Sequence, residues 1–294
     1  MVAAGSVLCA IAVPAYVYLA SEATIERRYP LPAISELAAS LPETVRHGEH
    51  LARIAGCEDC HGNNLEGLPV RAAGLLPIWS SNLRLAAAKM SEGEFERALR
   101  HGLAPDATSL WAMPATDYMY MTETDVGVLL AWLRSLGPRG APRPVPVWNW
   151  RARLALLDGR LVPSPLQIRA APSSLDLGPR YDGGRYLARI ACSECHGTDL
   201  EGLASHKAPD LAAITHYSRS AFFDLLRRGL GESRRRVPAM RRLAATRFHD
   251  FADFEIMALY DYLDARAHAP SALVARARAN EARRRAAAAA ESND

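Results

Sequence analysis

Two short stretches carry side chains whose types and spacing can do chemistry: Cys57-Glu58-Asp59-Cys60-His61 and Cys192-Ser193-Glu194-Cys195-His196. Two cysteines separated by two residues, with histidine immediately after, form the attachment pattern for c-type haem. On one helical turn each thiol can form a thioether with a vinyl edge of a porphyrin. The next residue then lies under the ring, where its imidazole can bind iron. A bare C-x-x-C also suits a redox disulfide or half of a zinc site. The immediate histidine, present in both copies, favours haem. Cys57, Cys60, Cys192 and Cys195 are thus the expected attachment residues for two covalently bound haem c groups, with His61 and His196 as axial ligands. Of five cysteines only Cys9 is left over, so no pair remains for a structural disulfide.

The two stretches belong to a longer repeat. Residues 51–69 (LARIAGCEDCHGNNLEGLP) recur at 187–204 (LARIACSECHGTDLEGLA) with one residue dropped. Phe95 to Leu103 pairs with Phe222 to Leu230, Asp125-Val126 with Glu255-Ile256, and Trp132-Leu133 with Tyr262-Leu263.

The repeat also selects the second axial ligands. One histidine leaves the far side of each iron open, and its occupant decides the chemistry. Met90, Met113, Met119 and Met121 are available in the first copy, and Met240 and Met257 in the second. Only Met113 and Met240 match, each lying at the same separation from its paired residue, Arg100 or Arg227. Both stand in loop-like sequence beside proline. Core packing is the alternative for each, and is the better reading of Met90, Met121 and Met257. None of the remaining histidines recurs in both copies, which disfavours bis-histidine ligation.

Positioning these residues requires helices. Leu51, Ile54 and Ala55 lie on one face of a helix leading into Cys57. Ser91 to Leu103 reads as a helix with Ser91 as N-cap and Glu94 as its capping-box partner. A last helix runs from about Glu123 to Leu136, introduced by Thr122 and stopped by Gly137-Pro138. A Gly-rich loop is expected after His61. The domain layout is a transmembrane anchor at 1–21, a stalk at 22–42, a first haem domain at 43–136, a Pro-rich linker at 137–180, a second haem domain at 181–267, and a flexible or helical tail at 268–294. Trp148 and Trp150 in the linker are expected to pack on a domain.

Residues 2–21 hold no charged side chain, and about twenty helical residues span a ~30 Å hydrocarbon layer. A cleaved signal peptide is the rival, weakened by the absence of a good small-residue cleavage site. Arg27 and Arg28 follow the segment, which by the positive-inside rule alone puts the body in the cytoplasm; the haem motifs outweigh that signal. The 294 residues, 49% of them hydrophobic, suit two packed domains. A formal net charge of +3 points to neither nucleic acid nor an acidic ligand. Charge is distributed unevenly. Asp106, Asp117, Glu123 and Asp125 surround the first methionine without Lys or Arg, whereas the stretch Arg227 to Arg247 carries eight arginines against Glu232 alone. Haem 1 is therefore expected to face a basic partner and haem 2 an acidic one or an anionic membrane. Pairing of those arginines with propionates and nearby carboxylates is the bland alternative.

The layout resembles class I c-type cytochromes in tandem, and in particular the membrane-anchored di-haem cytochrome c proteins that serve respiratory and dehydrogenase complexes. The resemblance covers both domains and the linker, through C-x-x-C-H-G, the Met-Pro loop and the final aromatic-bearing helix. It departs in that related dehydrogenase subunits often carry three haems, and in that no proline follows Met240. It implies an all-α fold, with first and last helices of each domain crossing near Trp132 or Tyr262. A loop carbonyl would hold the haem-binding imidazole; Pro209 is the candidate in the second copy, with none evident in the first. It also implies an electron carrier with redox protein partners or a membrane oxidoreductase complex, located on the periplasmic side of the bacterial cytoplasmic membrane. A di-haem peroxidase is the alternative function, disfavoured by matched methionines that close both irons.

Overall fold

A computed structural model describes residues 2–34 and 42–291 of the chain. It is mostly helical. Helix α1 (Val2–Ile25) is followed, after an extended segment, by α2 (Pro42–Ile54) and the one-turn α3 (Cys57–His61). Strands β1 (Pro69–Ala72) and β2 (Leu76–Trp79) pair antiparallel, and α4 (Leu83–Lys89), α5 (Glu92–His101), α6 (Ala115–Tyr118) and α7 (Glu123–Ser135) complete the first unit. Next come α8 (Trp150–Leu157) and α9 (Ser164–Ala170), then α10 (Asp182–His196), α11 (Arg219–Arg228), α12 (Pro238–Thr246), α13 (Asp253–Ala267) and α14 (Ser271–Glu291).

Local chemistry explains the helix starts. Ser91 and Glu94 close a capping box on α5, and the Thr122 hydroxyl accepts from Asp125 N at the start of α7. In each unit the helix that leads into the haem motif crosses the last helix of that unit at a glycine. A Cβ on Gly48 would lie 2.1 Å from the Val128 carbonyl oxygen and 2.8 Å from Trp132 Cβ. On Gly184 it would lie 2.0 Å from the Ala258 carbonyl oxygen and 2.7 Å from Tyr262 Cβ. Only hydrogen fits at that crossing, so backbone rests against backbone beside Trp132 and Tyr262, as the resemblance implied.

The structure departs from some expectations and adds detail to others. The all-α fold carries a hairpin, β1–β2, inside what reads as a Gly-rich loop, and the second copy keeps only a single antiparallel bridge, Leu203 with Ala208, at the matching place. The stretch 22–42 is not a free stalk where it is described. Its first residues extend α1, and Tyr29 N donates to the Ala107 carbonyl at 3.0 Å; the part at 35–41 lies outside the described residues. The Pro-rich linker contains α8 and α9 and is tied down along its length. Asn82 Nδ2 donates to the Arg139 carbonyl at 2.8 Å, and Tyr262 Oη to that of Leu175 at 2.9 Å. Trp148 packs edge-to-face on Trp111, whereas Trp150 is 52% exposed. The tail is helical from Ser271 to Glu291.

Among the described residues no helix is long and apolar enough to cross a membrane. The span expected at 1–21 therefore has no support there, although α1 is helical throughout and its side chains are described from residue 11. The carboxyl end of α1 is docked on the linker. Arg153 of α8 reaches Ser21 Oγ at 2.8 Å and Glu22 Oε2 at 2.7 Å, and lies 4.4 Å from the Tyr18 ring.

One continuous apolar core joins the two units. Leu51, Ile54, Tyr118 and Trp132 belong to the same cluster as Leu187, Ile190, Phe248 and Tyr262. Two sets of polar contacts across this interface are matched. His50 Nε2 bonds Glu255 at 2.9 Å, and at the equivalent positions Tyr186 Oη donates to Asp125. Arg53 bonds Asp250 at 3.3 Å, and its counterpart Arg189 stacks 3.7 Å from the ring of Tyr120, the counterpart of Asp250. Residue i touches j′ while i′ touches j, the signature of a two-fold, self-complementary interface. Here it is formed within one chain.

Candidate functional site

The two cysteine–histidine turns differ in how they are reached. In the second copy α10 runs unbroken from Asp182 through His196. In the first, the additional residue Gly56, at φ +75°, separates α2 from α3. After each histidine a glycine with positive φ, Gly62 or Gly197, ends the helix. All four cysteines are unpaired. Cys57 and Cys192 pack against the shared core, where burial pushes both thiols up to about 12 and keeps them protonated. A reactive redox cysteine needs a lowered value instead.

Each histidine is held by a main-chain carbonyl. His61 Nδ1 donates to Ser81 O at 2.8 Å, and His196 Nδ1 to Pro209 O at 2.8 Å. A proton fixed on Nδ1 leaves the lone pair on Nε2, the nitrogen free to bind a metal. Burial lowers both imidazoles below the usual histidine range, which also favours the neutral, ligating form. Pro209 was the carbonyl implied for the second copy. Ser81 escapes sequence matching because the hairpin lengthens the loop before it. Structurally the two correspond, since each precedes a residue whose side chain caps the next turn, Asn82 or Asp210.

Met113 and Met240 are both partly buried against the same core as Cys57 and Cys192. Met113 lies in irregular chain just before Pro114, as expected. Met240 does not lie in a loop; it occupies the first turn of α12. The reason is Pro238, which at the first helical position supplies a pre-set φ and lacks only an N–H that would be unpaired there. Met121 is buried in the core, whereas Met257 is 45% exposed and is not the core residue expected.

The charge pattern is also revised. Asp117 is buried, and Asp125 is taken up by His47 and Tyr186 at the interface, so neither presents charge to a partner. Arg227 ties the 248–251 backbone together and pairs with Asp253, and Arg247 is buried. Arg234, Arg235, Arg236, Arg241 and Arg242 remain exposed beside Met240, and among the described residues none makes an ion pair. Pairing with the chain's own carboxylates does not account for them.

Arg247 was missed as a site residue. Its Nε lies 2.7 Å from Asp59 Oδ2 and its Nη2 3.0 Å from Glu194 Oε2. The two carboxylates occupy matching places, immediately before the second cysteine of each motif. Burial works against the charge on Arg247, but Glu194 and Asp59 more than offset it and hold the group above its ordinary value. Beside it, burial and the nearby Glu194 push the carboxyl of Asp117 up to about 8.

The donor set fits covalent haem. Paired thiols stand on one turn against apolar side chains, and an imidazole beside them is oriented through Nδ1. Three or more His, Cys, Asp or Glu side chains grouped as for a bare metal ion are not found among the described residues.

No protein-family model matches the chain. Similarity does extend to curated proteins. The cytochrome c subunit of the quinone alcohol dehydrogenase of Gluconacetobacter polyoxogenes is 27% identical over 168 residues, covering 52% of this chain and 35% of that protein. The gluconate 2-dehydrogenase cytochrome c subunit of Pantoea cypripedii is 28% identical over 170 residues, covering 52% and 37%. The fructose dehydrogenase cytochrome subunit of Gluconobacter japonicus is 25% identical over 269 residues, covering 75% and 52%. The chain thus spans between about a third and a half of the length of these relatives.

Proposed function

We propose that this chain carries two covalently attached haem c groups and passes single electrons between redox partners, as the cytochrome c subunit of a dehydrogenase complex. One observation carries the reading: both C-x-x-C-H turns tie the histidine through Nδ1 to a loop carbonyl, at 2.8 Å in each copy, leaving Nε2 as the ligating nitrogen. The relatives, each named as a cytochrome subunit of a dehydrogenase, agree with it.

Cys57 and Cys60 would hold the first group, and Cys192 and Cys195 the second. Bound there, each group supplies a one-electron ferric/ferrous couple. His61 and His196 would bind its iron through Nε2, and the carbonyls of Ser81 and Pro209 raise the basicity of those imidazoles. Met113 and Met240 would supply the thioether ligands, a donor type that raises the potential of such a group and closes its iron to peroxide. The chain has no substrate of its own; oxidation of the organic substrate belongs to a partner. The exposed arginines beside Met240 would steer an acidic partner surface toward the second group. Tethering through α1 on the periplasmic side of the cytoplasmic membrane is supported by the uncharged run 2–21 of the sequence.

The test is optical and analytical. Alkaline pyridine spectra should count two covalent haems per chain. The weak methionine–iron band of the oxidised protein should have the strength of two sites and halve in M113A and in M240A. High-spin iron that turns over peroxide in the wild type would replace the carrier reading with the peroxidase one.

A further inference from the structure

The two haem-attachment turns meet at one residue. Arg247 uses two different guanidinium nitrogens to hold Asp59 of the first turn and Glu194 of the second, and its side chain is only 7% exposed. Its place is built into the backbone. A Cβ on Gly56 would lie 1.9 Å from Arg247 Cζ, and the positive φ of that residue favours glycine. Gly56 is the residue that the second copy lacks. The first copy therefore opens a slot that an arginine from the second fills.

The surrounding contacts repeat across the pseudo-two-fold axis, but this one does not. Counted back from the paired Asp125 and Glu255, the position matching Arg247 is Asp117, which the same interface buries to 4% exposure. The asymmetric element lies where the two attachment turns come together. Two carboxylates, each one residue before a haem-bearing cysteine, would repel across the interface without the cation between them. A guanidinium can bridge both, whereas a lysine ammonium is a point charge on a flexible stem and cannot match that fork.

We infer that Arg247 is a positioning residue that locks the two attachment turns against each other, so that the groups they carry exchange electrons within the chain as one coupled pair. The inference rests on the haem reading above. The exchange oxidises one iron by one electron while reducing the other by one, and it moves no proton and breaks no bond. The cation also favours the reduced state of both irons, since each loses a unit of positive charge on reduction, and so raises both potentials.

The test uses the full-length protein with both haems attached. The rate at which an electron photo-injected at one haem equilibrates with the other is measured together with both midpoint potentials. R247Q should lower both potentials and slow equilibration by about tenfold or more, a factor that corresponds to about 1.4 kcal/mol in the docked fraction of the two turns. R247K should hold the potentials near wild type and still slow equilibration. Hydrogen exchange across 56–62 and 192–197 should rise in both variants. D59N and E194Q each remove one arm while keeping Arg247, and stand in should R247Q fail to assemble. Each should slow equilibration and raise the potential of the haem on its own turn. Unchanged equilibration with unchanged potentials in R247Q overturns the inference, as does movement of one potential alone. A wild-type chain without two covalent haems defeats the earlier reading instead, and the haem count identifies that case separately.

Discussion

Asp117 should make this protein less stable as the pH rises, against the usual behaviour of carboxylates. Its folded value is raised from 3.8 to about 8, first by burial, then by Glu194, with Thr116 and Arg247 acting in the opposite direction. Between those limits the folded state holds a proton that the unfolded chain has released, so stability falls with pH across this window. At about 1.36 kcal/mol for each pH unit, going from pH 5 to pH 8 removes on the order of 4 kcal/mol through this one group. That is a large part of the ~5–15 kcal/mol typical of a domain. The amide side chain introduced by D117N has nearly the same shape as the carboxyl and no proton to lose. Urea unfolding of wild type and D117N at pH 5 and pH 8 isolates the contribution, because every other titrating group is common to both. The variant should gain on wild type by several kcal/mol between the two conditions and be the more stable at pH 8. Parallel pH profiles would refute the assignment of a protonated Asp117. The raised value of His50, due first to its bond with Glu255, acts in the same direction: its share is present at low pH and lost as the pH rises through its folded value.

Two further outcomes follow from the geometry. G48A and G184A each force a Cβ to about 2 Å from a carbonyl oxygen of the crossing helix, so each should cost roughly 1–3 kcal/mol or more, measured as a lowered midpoint in urea, with similar losses in the two copies. Neutralising Arg234, Arg235 and Arg236 to glutamine should leave the haem spectrum and the stability within about 0.5 kcal/mol of wild type. It should also flatten the salt dependence of electron delivery to an acidic partner; an unchanged dependence removes the steering role.

Sequence matching found what is local and repeated. Ser91, Glu94 and Thr122 announce their helices because a cap is a contact of three residues' reach. The cysteine–histidine turns announce themselves because their chemistry demands one spacing. The second-layer partners were harder to find for a physical reason. Ser81 holds its histidine through a main-chain oxygen, which any residue possesses, and the hairpin shifts it out of register with Pro209. Met240 looked like loop because its proline marks a helix start as readily as a turn. Asp117 and Asp125 looked like surface charge because composition carries no information on which carboxylates face a second domain. Arg247 stood among seven other arginines, and only packing separates it from the exposed ones.

The interface explains why the copies diverge where they do. Across a two-fold axis the residues nearest the axis face their own counterparts, and in a symmetric pair they must be identical. Two arginines at positions 117 and 247 would repel, and two aspartates would add to Asp59 and Glu194 a charge with nothing to balance it. Joining the copies in one chain removes the constraint. Position 247 can then be the cation that holds both turns, and position 117 a carboxyl that burial keeps neutral over most of the physiological range. The extra Gly56 follows from the same choice, because only one side needs the slot. The matched contacts, His50 with Glu255 and Tyr186 with Asp125, fix the two units in register. The unmatched one sits where the attachment turns meet. A duplicated fold can therefore keep symmetric packing for stability and confine its asymmetry to the junction of its two cysteine–histidine turns.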